Sequence, residues 1–293
     1  MKADIIDLEG RKTKTIELPK QFEEEYREDL IRKAVQVIQS HNVQPYGSKP
    51  QAGKRASAVV SRRRRDYRGS YGHGISRVPR KVMTKRGRNL FWVGAFAPGT
   101  TGGRRAHPPK ATKEWELKIN VKERRKAIRS AIAATANKEM VQKRGHRFKE
   151  APIIITNDIE NVKKTKELKA IMEKIGLKEE LERIYERKIR AGKGKNRGRR
   201  YKTKKGPLIV VGGRCELEHS GRNIPGIDIV EARALNAEIL APGTHAGRLT
   251  IYTEKAIEQM NKESLFFENV KQAEVKIEKP KTEKKTEAKR VKK

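Results

Sequence analysis

Four consecutive arginines, Arg62, Arg63, Arg64 and Arg65, are the residues whose chemistry is plainest in this chain. A guanidinium presents a planar fork that holds phosphate oxygens in pairs and stacks on flat rings, which an ammonium does less well. The run lies in a stretch, residues 45–110, that holds 17 Lys or Arg against one acid, Asp66. The same stretch has ten glycines, six prolines and no sustained helical or strand period. It therefore cannot build a core of its own, and a structureless loop of that length needs a partner to order it. Tyr67, Tyr71, Phe91, Trp92 and Phe96 are scattered through it. Cations interleaved with aromatics suit a partner with negative charge and flat faces, and RNA has both. The candidate RNA-contacting residues here are Lys54, Arg55, Arg62, Arg63, Arg64, Arg65, Arg77, Arg80, Lys81, Lys85, Arg86, Arg88, Arg104 and Arg105. A second segment, 188–206, repeats the chemistry on a smaller scale; from Arg190 to Lys205 it carries nine cations and no acid. Its candidates are Arg190, Lys193, Lys195, Arg197, Arg199 and Arg200.

Other chemistry finds little support. Gly99-Thr100-Thr101-Gly102-Gly103-Arg104 lacks the Gly-Lys-Ser/Thr ending of a phosphate-cradling loop, and no helix follows it. Val211-Gly212-Gly213 ends a strand but lacks Gly-x-Gly-x-x-Gly spacing, so a strand-end turn is the better reading. The six histidines stand singly and there is one cysteine, Cys215, so no metal-ligand spacing exists. No nucleophile motif is present, and we expect no cofactor, no metal and no catalysis.

Ile5 and Ile6 begin a strand that turns at Glu9-Gly10 and returns over 13–18. Leu30, Ile31, Ala34, Val35 and Ile38 fall at helical spacing. Trp115 is expected to pin the return of the long loop. Asn120 and Glu123 have capping-box spacing ahead of a helix to about Asn137, with a face of Ala127, Ile128, Ala131, Ile132 and Ala134. Ile153–Ile155 and Leu208–Val211 are short continuous apolar runs, the pattern of parallel strands covered on both faces. Between them lie a helix through Leu168, Ile171, Met172 and Ile175 with Gly176 as C-cap, and a second helix from Leu177 to Tyr185. A third strand at 227–230, a helical turn at 235–240, a strand at 249–252 and a helix at 254–260 complete the alternation. The expected fold is α/β, a mostly parallel sheet flanked by helices, Rossmann-like, with a long extended RNA-penetrating loop. The body is residues 1–44 with 111–262, the loop 45–110 is inserted in it, and 264–293 is a Lys/Glu-rich tail expected to be disordered.

Bulk properties agree. The chain has 293 residues, a formal net charge of +35 and only 35% hydrophobic residues. Such charge favours a polyanionic partner. One cysteine fits a reducing compartment, and no apolar run approaches the roughly 18 residues of a membrane span. With no secretory h-region at the start, a cytoplasmic protein is expected, and no membrane partner.

Particular residues then resemble a known family, large-subunit ribosomal protein L four in its archaeal form. They include Asp29-Leu-Ile-Arg-Lys-Ala34, Tyr46-Gly47, Ala106-His-Pro-Pro-Lys110 and Asn120-Val-Lys-Glu-Arg124. Arg129-Ser-Ala-Ile-Ala-Ala-Thr135, Lys188-Ile-Arg-Ala-Gly-Lys-Gly194, Arg222-Asn-Ile-Pro-Gly226, Leu235-Asn236 and Ala241-Pro-Gly-Thr-His-Ala-Gly-Arg-Leu-Thr-Ile251 continue it to about residue 260. The resemblance implies a structural constituent of the large subunit that binds its ribosomal RNA, acts early in assembly and sends its loop to the peptide exit tunnel. It implies neighbouring ribosomal proteins and, at the loop tip, the nascent polypeptide as partners. Two arms of about 30 residues at roughly 3.3 Å each reach on the order of 100 Å. The midpoint puts the tunnel-facing tip at Arg64, Arg65, Asp66, Tyr67, Arg68, Gly69, Ser70, Tyr71, Gly72 and His73. The alternative function is repression of translation by binding the protein's own messenger RNA.

Overall fold

The computed structural model describes residues 1–52, 58, 60–67, 69–87 and 89–267. Lys54, Arg55, Arg68, Arg88 and the tail from 268 on lie outside the described residues. The chain forms two units, Met1–Gln36 with Ile119–Lys293, and Val37–Lys118.

In chain order the elements are β1 (Lys2–Ile6), β2 (Lys12–Glu17), α1 (Glu28–His41), β3 (Arg80–Arg86), β4 (Asn89–Gly94), α2 (Val121–Ala136) and α3 (Lys138–Lys143). Then follow β5 (Ile153–Ile155), α4 (Thr165–Lys174), α5 (Lys178–Tyr185), β6 (Lys188–Ile189), β7 (Tyr201–Lys202) and β8 (Leu208–Val211). The last are α6 (Leu217–Gly221), β9 (Asp228–Glu231), α7 (Ala237–Leu240), β10 (Thr250–Thr253) and α8 (Glu254–Lys262). Six strands of the first unit make one sheet in the order β2-β1-β5-β10-β8-β9. The β1–β2 hairpin is antiparallel, and every other neighbour is parallel.

The apolar runs explain that order. β5, β8 and β10 are buried at every residue and occupy the centre, where both faces must be dry. Successive side chains point to opposite faces. On one face Ile153, Ile155, Ile209, Val211 and Ile251 pack in a single cluster with Leu168 and Met172 of α4, Leu181 of α5 and Leu217 of α6. Tyr252 takes the other face, meeting the Phe22 ring edge-on at 5.2 Å and sharing a 2.9 Å hydrogen bond with Thr135 of α2. Ala127, Ala131 and Ala134 of α2 are at most 1% exposed, so their small side chains allow the close packing their spacing forecasts. At the ends of the sheet β2 carries Lys12 and Lys14, charges that discourage pairing with another strand.

Several expectations need amendment. Residues 80–94 do form strand: β3 and β4 pair in an antiparallel ribbon with a bulge between Val82 and Thr84. Alternation was hidden there because the bulge shifts the period of two, and neither side is deeply buried. The capping box at α2 does not form. The Asn120 side chain makes no cap bond, and Glu123 instead takes the Lys33 ammonium at 2.7 Å. The short helices α3 and α6 went unforeseen, α3 being capped by Asn137, whose Oδ1 accepts from the Glu139 and Met140 amides. Residues 264–267 of the expected tail are held: Gln21 donates to the Leu265 carbonyl at 3.0 Å, and Arg129 to that of Phe266 at 2.6 Å.

Candidate nucleic-acid interface

Within Val37–Lys118 the two ends of the basic stretch come together. The Ser48 amide donates to the Pro109 carbonyl at 3.2 Å. Tyr46 packs on Trp115 with ring centroids 4.6 Å apart and planes tilted by 43°, so Trp115 pins one end of the stretch to the other. Gly47 is required at this crossing, because a Cβ there would run into the Ala111 amide. Farther along, the chain loops round between Ser61 and Gly69, which form an isolated parallel bridge, and it reverses between Arg86 and Asn89. Asp66, the one acid, accepts a hydrogen bond from Ser61 Oγ and so closes the first of these loops.

The ring faces in this unit are matched to cations. Arg77 lies 4.6 Å over Tyr71, Lys85 4.9 Å over Tyr67 and Arg104 5.0 Å over Phe96. Arg80 lies 6.0 Å over Trp92, whose ring also meets His73 edge-on. Arg62, Arg63, Arg64, Arg65, Lys81 and Arg86 are exposed and, among the described residues, in no ion pair. Tyr67, Phe91 and Phe96 are each more than half exposed. This arrangement can offer guanidinium forks to phosphates and open ring faces to bases at the same time. Arg80 and Arg104 are partly committed: Arg80 donates to the Ser76 carbonyl at 3.1 Å and Arg104 to that of Ala52 at 3.2 Å.

The second basic segment is a small hairpin of the first unit, with β6 and β7 antiparallel. Arg190 is its clip. Its Nε donates to the Arg199 carbonyl at 2.9 Å, and its backbone amide to Arg200 at 2.8 Å. That role makes Arg190 first a structural residue. Gly192 and Gly198 adopt positive φ at the two bends. Lys193, Lys195, Arg197, Arg199 and Arg200 are exposed between and beside them. The sequence had no signal to separate the clip from the other cations.

Residues 16–263 match the ribosomal protein L4/L1 family. The chain is 48% identical over 268 residues to the large ribosomal subunit protein uL4 of Nanoarchaeum equitans, covering 91% of this chain and all of that one. It is 47% identical to uL4 of Methanosphaera stadtmanae over 92% of this chain and 98% of that one. It is 45% identical to uL4 of Archaeoglobus fulgidus over 89% and 98%.

The chain belongs to the ribosomal protein L4/L1 family.

Membership makes it a ribosomal protein and not an enzyme. Among the described residues no His, Cys, Asp and Glu cluster is suited to a metal ion, and no helix is long and apolar enough to cross a membrane. At Gly212, where a cofactor phosphate would sit in a dinucleotide fold, the protein supplies its own anion. Glu160 Oε1 accepts from the Gly212 amide and from Thr253 Oγ1, both at 3.0 Å.

What the sequence reading missed in this L4/L1 chain is the buried polar framework beneath the second hairpin. Glu180 is fully buried and accepts from Arg183 Nε at 2.7 Å, Arg183 Nη2 at 2.6 Å and the Arg147 amide at 3.0 Å. His146 Nδ1 lies 2.7 Å from Glu180 Oε1, the oxygen that also accepts from Arg183 Nη2. Burial alone would raise the Glu180 carboxyl, but these hydrogen bonds outweigh it and hold it below its ordinary range. Burial also pushes His146 below its ordinary value, against the pull of Glu180. Arg248, fully buried, donates to the carbonyls of Gly206, Ile239 and Gly226 and pairs with Asp228 at 2.6 Å. These groups fix the strand entering β8 and the loop before β10.

Proposed function

We propose that this chain is a structural constituent of the large ribosomal subunit, binding its ribosomal RNA and joining early in assembly. In this reading residues 45–110 thread through RNA as an extended loop, and the segment 64–73 lies at the wall of the peptide exit tunnel beside the nascent polypeptide. The second hairpin, 188–206, adds a further RNA contact, and neighbouring ribosomal proteins complete the surroundings.

One observation carries the reading: a 66-residue stretch with 17 cations and a single acid, that acid already bonded to Ser61, alongside exposed aromatic faces. In water such a surface repels itself and gains nothing. Against RNA each fork meets a phosphate, and each released counterion adds affinity that falls steeply with salt. Three large-subunit relatives of near-equal length support the assignment.

Two measurements test it. Removing residues 45–110 should abolish tight binding to large-subunit rRNA while leaving a single cooperative unfolding transition; loss of that transition would refute the separation of loop from body. A photo-crosslinker at Tyr67 or Tyr71 in stalled translating ribosomes should capture the nascent chain, and its failure there would sink the tip assignment.

A further inference from the structure

A groove of about 1200 Å³ opens in the first unit between the second hairpin and the loops at 140–146 and 242–246. Its lining brings together Lys143, Arg144, Arg183, Lys188 and Lys202–Lys205, with Glu28 the one carboxylate. Glu28 is already held by Arg32 at 2.5 Å. Some of the cations are compensated: Arg183 by Glu180, Lys204 by Glu186 and Lys205 by Asp228. Among the described residues Lys143, Arg144, Lys188 and Lys202 are in no ion pair.

Two of those are placed at a cost. Lys188 and Lys202 are direct partners across the β6–β7 ribbon. Like charges opposite one another on a ladder destabilise it. Arg144 is half-buried; its Nη2 donates to the Pro242 carbonyl at 2.7 Å and its Nη1 to that of His245. Burial, with the nearby Arg248 and Arg183 charges, draws its guanidinium down to about 10. A partly desolvated cation beside two like charges, and a pair of facing lysines, are both relieved by the same thing, an anion seated among them.

We infer that this groove is a phosphate-backbone site of its own, in which an RNA strand lies with its phosphodiesters on Lys143, Arg144, Lys188 and Lys202. The inference rests on the RNA reading above and deepens it: Lys188 and Lys202 of the second hairpin act with Lys143 and Arg144 as one contact on the globular unit, apart from the loop. An open groove of this volume exceeds what a single small anion fills, and its cations come from three separate chain segments, which suits a polyanion.

The full-length protein, free and bound to deproteinised large-subunit rRNA, is acylated at lysine and the sites are read by mass spectrometry. Lys143, Lys188 and Lys202 should be protected severalfold by the RNA, as should Lys81 and Lys85 of the loop, while Lys14 on the sheet edge stays reactive. In parallel, the triple variant K143Q/K188Q/K202Q should bind more weakly and lower the salt-dependence slope by about 2–3, roughly one per lost phosphate contact, with a melting temperature no lower than that of the unaltered protein. Loop protection without groove protection, and an unchanged slope, would overturn this inference alone. Protection of the groove only in intact subunits would assign it to a protein neighbour and overturn it also. No binding by the unaltered protein would overturn both the inference and the reading it rests on.

Discussion

The two units of this chain are ordered by different means. The first has dry central strands and helices whose apolar faces close both sides of the sheet. In Val37–Lys118 the buried apolar residues among those described are Val37, Ala95 and Ala97, none of them large. At roughly 25 cal/mol per Å² such side chains supply little driving force. What holds the second unit is local: one ribbon, cation–ring contacts and backbone bonds at turns. A segment of that kind is stable only weakly by itself and keeps its polar groups for a partner. One chain thus concentrates its apolar core in one unit and leaves the cations and ring faces of the other exposed.

The comparison can be broken most sharply inside the first unit. Glu180→Ala strands Arg183, His146 and the Arg147 amide in a buried site, and should cost about 3–5 kcal/mol in denaturant unfolding. Ile154→Ala, in the centre of β5 and fully buried, should cost about 2–5 kcal/mol. Lesser losses from both would mean that the sheet is not where stability resides.

Acid should act on the same framework. Both His146 and Glu180 are depressed in the folded protein, so the unfolded chain binds protons first as pH falls. Stability from these groups is therefore complete above the ordinary histidine value of 6.5 and is lost below it, the histidine part first. His146→Gln should remove that first decline and leave the one that begins near 4.5, the ordinary glutamate value. Urea midpoints measured from pH 8 to 4 would show this, and an unchanged profile in the variant would refute it.

Smaller effects complete the contrast. Thr253 caps α8 by accepting from the Ala256 amide at 3.2 Å and also donates to Glu160 at 3.0 Å, so Thr253→Ala should cost about 1–3 kcal/mol. Phe91→Ala, on the exposed ribbon, should change unfolding by no more than about 0.5 kcal/mol yet weaken RNA binding by about 1–3 kcal/mol if a base stacks there. A large stability loss from Phe91→Ala would erase the distinction between the two units.

Most of the sheet was legible because its signals are local and strong. Ile153–Ile155, Leu208–Val211 and the alanine face of α2 can be read without a partner, since continuous apolar runs and a 3.6-residue period leave few alternatives. The ribbon at 80–94 was not legible, because a bulge and two exposed faces erase the period that identifies a strand. The basic residues were legible as a class but not in their roles. Arg190 closes a hairpin, Arg183 neutralises Glu180, Arg248 is buried on three carbonyls and Arg144 faces a groove, although all four read alike in the sequence.

The run Arg62–Arg65 and its setting were determined by sequence alone, because charge density and glycine and proline content are properties of composition. The order of the strands, the pairing of Glu180 with His146, and the meeting of Lys143 with Lys188 and Lys202 in one groove were decided only by tertiary structure. Those contacts join residues far apart in the chain, Ile5 with Ile154 in the sheet and Lys143 with Lys202 in the groove, and no local pattern encodes which distant group a side chain will face.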